Sequence, residues 1–234
     1  MSRSKPLTET QAREEICRVG QSLFERGYVH ATAGNISVRL DEAQGGGFLI
    51  TPTDSCLGFL DPAELARLDA SGQQISGQTA SKTIALHQGI YRAIAPFDDQ
   101  IRCIVHTHSS ACVQLTLNQV GEELLPPITP YYVMKVGRVP VLPYQRPGAP
   151  QTVLAAAQVI EAYGQRGIPL RALMLARLGP NVWHANPATA MATLEELEET
   201  ARLWLACRPQ TEPLSDAQIT DLQQAFGAKW HTVR

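Results

Sequence analysis

Apolar residues recur every three or four positions from Thr8 to Arg26, with Ile16, Val19, Leu23 and Phe24 on one stripe, Glu9, Glu14 and Glu15 early and Gly27 following. That spacing predicts an amphipathic helix with acidic residues near its positive end and a glycine stop. The period then changes. Thr32-Ala-Gly-Asn35 reads as a turn, Ile36 to Leu40 as a strand, and Gln44-Gly-Gly-Gly47 as the loop returning the chain into a second strand, Phe48 to Thr51. Asp61-Pro-Ala-Glu-Leu65 predicts a short helix with Asp61 as cap and Pro62 at its first position. Ser81 to Ile94 resumes the helical period, Ile101 to Val105 is a compact apolar strand, and a helix is expected from Ser109 to Leu117. Strands follow near Val139 to Leu142 and Ala172 to Leu178, with a helix from Gln151 to Tyr163 between them. Pro187 to Cys207 is the most strongly periodic segment, through Met191, Leu194, Leu197, Ala201 and Leu205, and a closing helix follows the cap Ser215.

Strands alternating with helices predict an α/β architecture with a central sheet covered by helices. The chain shows no repeat, low-complexity tract or linker, so one domain over residues 1–234 is expected, with a few flexible residues at each end, including His231. Its 234 residues, 44% hydrophobic and 18% charged, suffice for a substantial core. The net charge of −2 gives no electrostatic case for nucleic acid or an anionic membrane. Short basic spots at Arg166 to Arg171 and Lys229 to Arg234 read as surface charge. No apolar run approaches the roughly 20 residues needed to span a bilayer, and the N-terminal residues lack an apolar signal core. Five scattered cysteines without CxxC spacing point to reduced thiols and a cytoplasmic setting.

The sharpest chemical signal is His106-Thr107-His108 at the end of the apolar strand. Residues two apart on a strand face the same side, so both imidazoles can converge on one divalent ion; structural or hydrogen-bonding histidines are the equal alternative. Three small-residue turns accompany the pair: Thr32-Ala33-Gly34-Asn35-Ile36-Ser37, Thr51-Pro52-Thr53-Asp54-Ser55 and Gly77-Gln78-Thr79-Ala80-Ser81-Lys82. Each offers backbone N–H groups to an anion, the last at a helix start. His87 reads as a packed helix residue, His30 as a residue shaping the first turn, Cys103 and Cys112 as apolar fillers, and Glu195 to Glu199 as a solvated helix face.

In this order and spacing, TAGNIS, TPTDSCLGFLDP, SGQTASKTIALHQGIYRA, IVHTHSSA, TPYYVMKVG, VPVLPYQRPG and LEELEETARL resemble the class II aldolase/adducin family, from about Glu14 to the closing helix. They look most like its branch that decarboxylates 3-oxo-tetronate 4-phosphates. The resemblance implies a three-layer α/β/α fold with a mainly antiparallel sheet, a homotetramer with sites between subunits, and a small anionic substrate. It places Gly34, Asn35, Ser37, Thr53, Asp54, Ser81 and Lys82 on phosphate-binding elements. It makes His106 and His108 two of three ligands of a divalent ion, usually zinc, and Tyr131 a proton donor presented to a neighbouring subunit.

Departures accompany the matches. The family's acid/base glutamate falls at Thr83, which cannot exchange a proton near neutral pH as a carboxylate does. The third metal histidine falls at Leu178, which has no lone pair, and Arg177 before it would oppose a dication if it pointed inward. His184 is a candidate replacement ligand, although a loop role before the helix at Pro187 carries more weight. The expected activity is carbon–carbon lyase chemistry, decarboxylation ahead of aldol cleavage, with Lys82, Thr83 and Tyr131 as catalytic positions. The alternatives are a chain that kept the anion pocket after losing metal chemistry, and one with a different, non-phosphorylated substrate.

Overall fold

A computed structural model of the chain describes residues 6–118, 121–207 and 211–230. The elements are α1 (Glu9–Glu25), β1 (Asn35–Arg39), β2 (Phe48–Ile50), β3 (Ala66–Leu68), β4 (Gln74–Ser76), α2 (Ile84–Ile94), β5 (Cys103–His106), α3 (Ser110–Leu115), β6 (Val141–Leu142), α4 (Pro150–Gln165), β7 (Ala172–Leu175), β8 (Gly179–His184), α5 (Pro187–Cys207) and α6 (Asp216–Phe226). The strands form one sheet in the order β4-β3-β2-β1-β5-β8-β7-β6. Every described neighbouring pair is antiparallel except β6 with β7.

The helix boundaries follow from capping. Thr8 accepts from the Gln11 N–H and the Gln11 side chain accepts from the Thr8 N–H, closing a capping box at the start of α1. Ser215 and Gln218 repeat the arrangement at α6. The buried stripe of α1, Ala12, Ile16, Val19 and Leu23, is the predicted one.

Side-chain alternation splits the sheet into two faces. Ile36, Val38, Cys103, Val105 and Val182 pack in one layer with Ile16 and Val19 of α1 and Leu194 and Leu197 of α5. Ile104, Leu173 and Trp183 pack in the other, with Ile90 of α2 and Ile160 of α4. Each fully buried leucine or isoleucine contributes roughly 1.5–3 kcal/mol, so both layers anchor strands that are individually short. His106, two residues beyond Ile104, shares the α2/α4 face.

The structure departs from expectation in several places, among them the added strands β3 and β4 and the end of β7 at Leu175 rather than Leu178. Asp61 caps no helix: its carboxylate accepts from the Ala63 N–H at 2.8 Å in a turn, and Ala66 already belongs to β3. Ser81 to Thr83 form a turn ahead of α2, which begins at Ile84. The segment after Leu178, read as a turn and loop, is the six-residue strand β8. The ends expected to be flexible, His231 among them, lie outside the described residues.

Candidate functional site

Register assembles the site. Asn35 on β1 and Asn181 on β8 both stand opposite His106 on β5, so the three residues form a row across adjacent strands. At this end of the sheet lies a cleft of about 870 Å³, lined by Thr32 to Asn35, Pro52 to Asp54, Ser81 to Thr83, His106 and His108. The rest of its wall comes from α2 between Ala85 and Arg92, from Pro143 and the stretch Gln145 to Leu154 leading into α4, and from Leu175, Ala176 and Leu178. Gly34 lets the first turn approach: at φ +87°, a Cβ there would lie 2.8 Å from Val29 Cγ1 and 2.9 Å from the His106 carbonyl.

His106 is buried, and its Nδ1 lies 3.0 Å from the Pro180 carbonyl. A carbonyl only accepts, so Nδ1 carries the proton and Nε2 keeps its lone pair. Burial, then the neighbouring His108, lowers the pKa to about 4 against the pull of that carbonyl, leaving a neutral ring at physiological pH. The His106 and His108 rings are 5.1 Å apart at 67°. His30, exposed, brings its ring within 6.3 Å of His108. Burial and His30 together lower the His108 pKa.

Ser37 does not belong to the anion-binding surface. It is fully buried, with its hydroxyl 2.8 Å from His87 Nδ1 and 3.0 Å from the Tyr91 hydroxyl. The single Tyr91 proton is offered to the carbonyls of Ser37 and Arg102. Ser37 therefore donates to Tyr91 and accepts from His87 Nδ1–H, which leaves His87 Nε2 as an acceptor on the Asn181 side. Burial, then His106, drives the His87 pKa to about 3, with Asn181 opposing.

The remaining candidates divide. Gly34, Asn35, Thr53, Asp54, Ser81, Lys82 and Thr83 all line the cleft. Thr83 Oγ1 accepts from Asn35 Nδ2 at 3.3 Å, and Asp54 adopts a left-handed backbone with φ 55°. Tyr131 is 61% exposed and lies outside the cleft, just before a single π-turn at Tyr132–Val136. His184 sits at the far end of β8 opposite Cys103, accepts from the Ala185 N–H at 2.8 Å, and is no partner for His106 and His108. Arg177 turns away: its N–H binds Thr116 Oγ1 and its guanidinium donates to the Leu117 carbonyl at 3.0 Å.

The donor set does not fit the expected metal site. A catalytic zinc takes three protein ligands and an open position, whereas Leu178 brings only carbon to the wall beside two imidazoles. Among the described residues, no three His, Cys, Asp or Glu side chains are grouped to hold an ion.

Sequence reasoning missed Glu198. It is no solvated residue: fully buried, its two carboxylate oxygens accept from the Ala111 and Cys112 N–H groups at 2.9 and 3.0 Å, at the start of α3. It thereby fixes the chain just beyond His108. The signal was available, because Glu198 lies on the stripe with Leu194, Leu197 and Ala201. Arg92 and Arg146, also on the cleft wall, had no such signal.

The Class II Aldolase and Adducin N-terminal domain model matches residues 14–205. The chain belongs to this family. It is 46% identical over 230 residues to the 3-oxo-tetronate 4-phosphate decarboxylase of Cupriavidus necator, covering 95% of this chain and 99% of that one. The Escherichia coli K12 protein of the same name is 37% identical over 83% of this chain and 86% of its own. The crystal structure of Escherichia coli YgbL superposes with a TM-score of 0.80 at 35% identity, covering 92% of this chain and 99% of that one. An L-fuculose 1-phosphate aldolase shares the family fold, with a TM-score of 0.76 at 22% identity over 92% of this chain and 96% of that one. The three-layer fold and mostly antiparallel sheet expected from the resemblance are those observed.

Proposed function

We propose that the chain is a carbon–carbon lyase that decarboxylates a phosphorylated 3-oxo sugar acid. One observation carries this reading: the turns at Gly34-Asn35, Thr53-Asp54 and Ser81-Lys82 line the same cleft as His106 and His108. The names of its relatives at 46% and 37% identity support it. Backbone N–H groups of the turns and the Lys82 ammonium receive the phosphate.

Decarboxylation suits the residues present. The bond from the carboxylate carbon to C2 breaks, carbon dioxide leaves, and the electron pair moves onto the 3-oxo oxygen as an enolate; C2 then gains one proton. Cleavage itself removes no proton, so it does not need the carboxylate base that Thr83 replaces. Aldol cleavage does need one. Lys82 supplies positive charge for the enolate oxygen. The neutral Nε2 of His106 accepts a hydrogen bond from a substrate hydroxyl. In a homotetramer, which the exposure of Tyr131 supports, a neighbouring copy's Tyr131 delivers the proton to C2. The scattered cysteines support a cytoplasmic setting.

The test is direct. Purified protein mixed with 3-oxo-tetronate 4-phosphate should release carbon dioxide and a triose phosphate faster than buffer alone, and Lys82→Ala should slow the release. Release at the buffer rate overturns the reading. Leu178 and Thr83 favour a second reading, in which the cleft binds a sugar phosphate without cleaving it; binding without carbon dioxide release would establish that one.

A further inference from the structure

We propose that Arg146 receives the substrate carboxylate, so that the cleft selects molecules bearing an anion at each end; the inference rests on the lyase reading above. The phosphate turns and Lys82 line the cleft from β1, the β2 end and the approach to α2. The segment Pro143 to Pro150, leading into α4, lines the same cleft and contributes a single charged side chain, Arg146. Charged residues lining the cleft are Asp54, Lys82, Arg92 and Arg146, three cations against one anion. A phosphate monoester, at about −1.5 to −2 near pH 7, roughly balances this net of +2, so a second anion is indicated by Arg146, unpaired among the described residues, rather than by the charge sum.

Arg146 is the cation held in reserve. Among the described residues its guanidinium has no hydrogen-bond or ion-pair partner. Other arginines are committed: Arg138 to Glu123 at 2.6 Å, Arg171 to Asp98 at 2.7 Å, and Arg92 Nε to the Gln88 carbonyl at 3.3 Å. The Arg146 backbone is stiffened by prolines at 143, 147 and 150 and by an Ala149 N–H to Arg146 carbonyl bond of 3.1 Å. A planar guanidinium suits a carboxylate bidentately. Ketose phosphates, the substrates of aldol cleavage, present a neutral end there and gain nothing from it.

The energetics fix its role. As carbon dioxide departs, negative charge leaves the carboxylate for the oxo oxygen, so an ion pair with Arg146 is strongest before the transition state. Such a contact lowers KM without raising kcat. Arg146 is a specificity residue.

Two unreactive probes of equal length separate the possibilities by calorimetry on the full chain: 4-phosphoerythronate, with a carboxylate, and erythritol 4-phosphate, without one. The native protein should bind the acid more tightly. Arg146→Ala should weaken the acid on the order of ten-fold or more and leave the polyol unchanged, Arg146→Lys should retain part of the preference, and Lys82→Ala should weaken both. In turnover, Arg146→Ala should raise KM with kcat equal or higher. Equal weakening of both probes by Arg146→Ala, or equal native affinity for the two, overturns the assignment of Arg146 while the lyase reading stands. Failure of the native protein to bind either probe overturns both.

Discussion

The ring of His106 and the carbonyl of Pro180, 74 positions apart in sequence, are joined by a 3.0 Å hydrogen bond that sets the imidazole tautomer. The bond fixes Nε2 as the lone-pair nitrogen while Leu178, two residues before Pro180, brings no donor to the wall. One side of a metal site is thus in place and the other is missing.

Restoring the missing donors should therefore restore the ion. The pair Thr83→Glu and Leu178→His is expected to retain about one equivalent of zinc through dialysis, as a third histidine completes the usual ligand set. Elemental analysis by mass spectrometry reads this directly, and the parent protein should retain far less. Equal zinc in parent and variant would show that the existing side chains suffice.

Acid should destabilise the fold through His87. Its folded pKa of about 3 lies below the ordinary histidine value near 6.5. Between those values the unfolded chain binds a proton that the folded chain refuses, so stability falls as pH drops. The stabilisation is fully present above about pH 6.5 and declines by up to about 1.4 kcal/mol per pH unit below it. Urea denaturation at pH 7, 6 and 5 should show this slope, reduced by about one proton in His87→Gln. An unchanged slope in that variant would remove His87 from the account.

Glu198 should matter more than its place in an acidic run suggests. Glu198→Ala strips two buried N–H groups of their acceptor, a loss of about 2–4 kcal/mol. For a chain of this size that lowers Tm by roughly 5–15 °C. Glu198→Gln keeps one acceptor oxygen and should lose about half as much. Calorimetric melting of the two variants decides it; a melting temperature for Glu198→Ala within a degree of the parent would contradict the buried cap.

What the sequence disclosed tracks how local each cause is. Helices α1 and α5 were legible to within a residue or two, and α6 at its start, because caps and apolar stripes are written over adjacent positions. The HxH strand and the small-residue turns were legible for the same reason, and the structure places His106, His108, Asn35 and Ser81 around one cleft. Strand β8 was not, because Gly179-Pro180 carries the strongest turn signature available and Asn181 interrupts the apolar run; only pairing with β5 and β7 makes the segment a strand. Ser37 misled because a hydroxyl beside a phosphate-type turn gives no hint that His87 and Tyr91, from a helix fifty residues on, will enclose it. The outward turn of Arg177 depends on Thr116 and Leu117, equally remote in the chain.

The order of the strands sets a timetable for assembly. His106 takes Asn35 as one neighbour from upstream and Asn181 as the other from far downstream, so a nascent chain that has emerged only through α3 presents β5 as an open edge. Such an edge invites pairing with other chains, and closing it awaits the late hairpin of β7 and β8. Distant pairings of this kind slow folding. The row Asn35, His106, Asn181 is therefore complete only once that hairpin has docked on β5, and a fragment ending at α3 carries the turns and both imidazoles without their downstream wall.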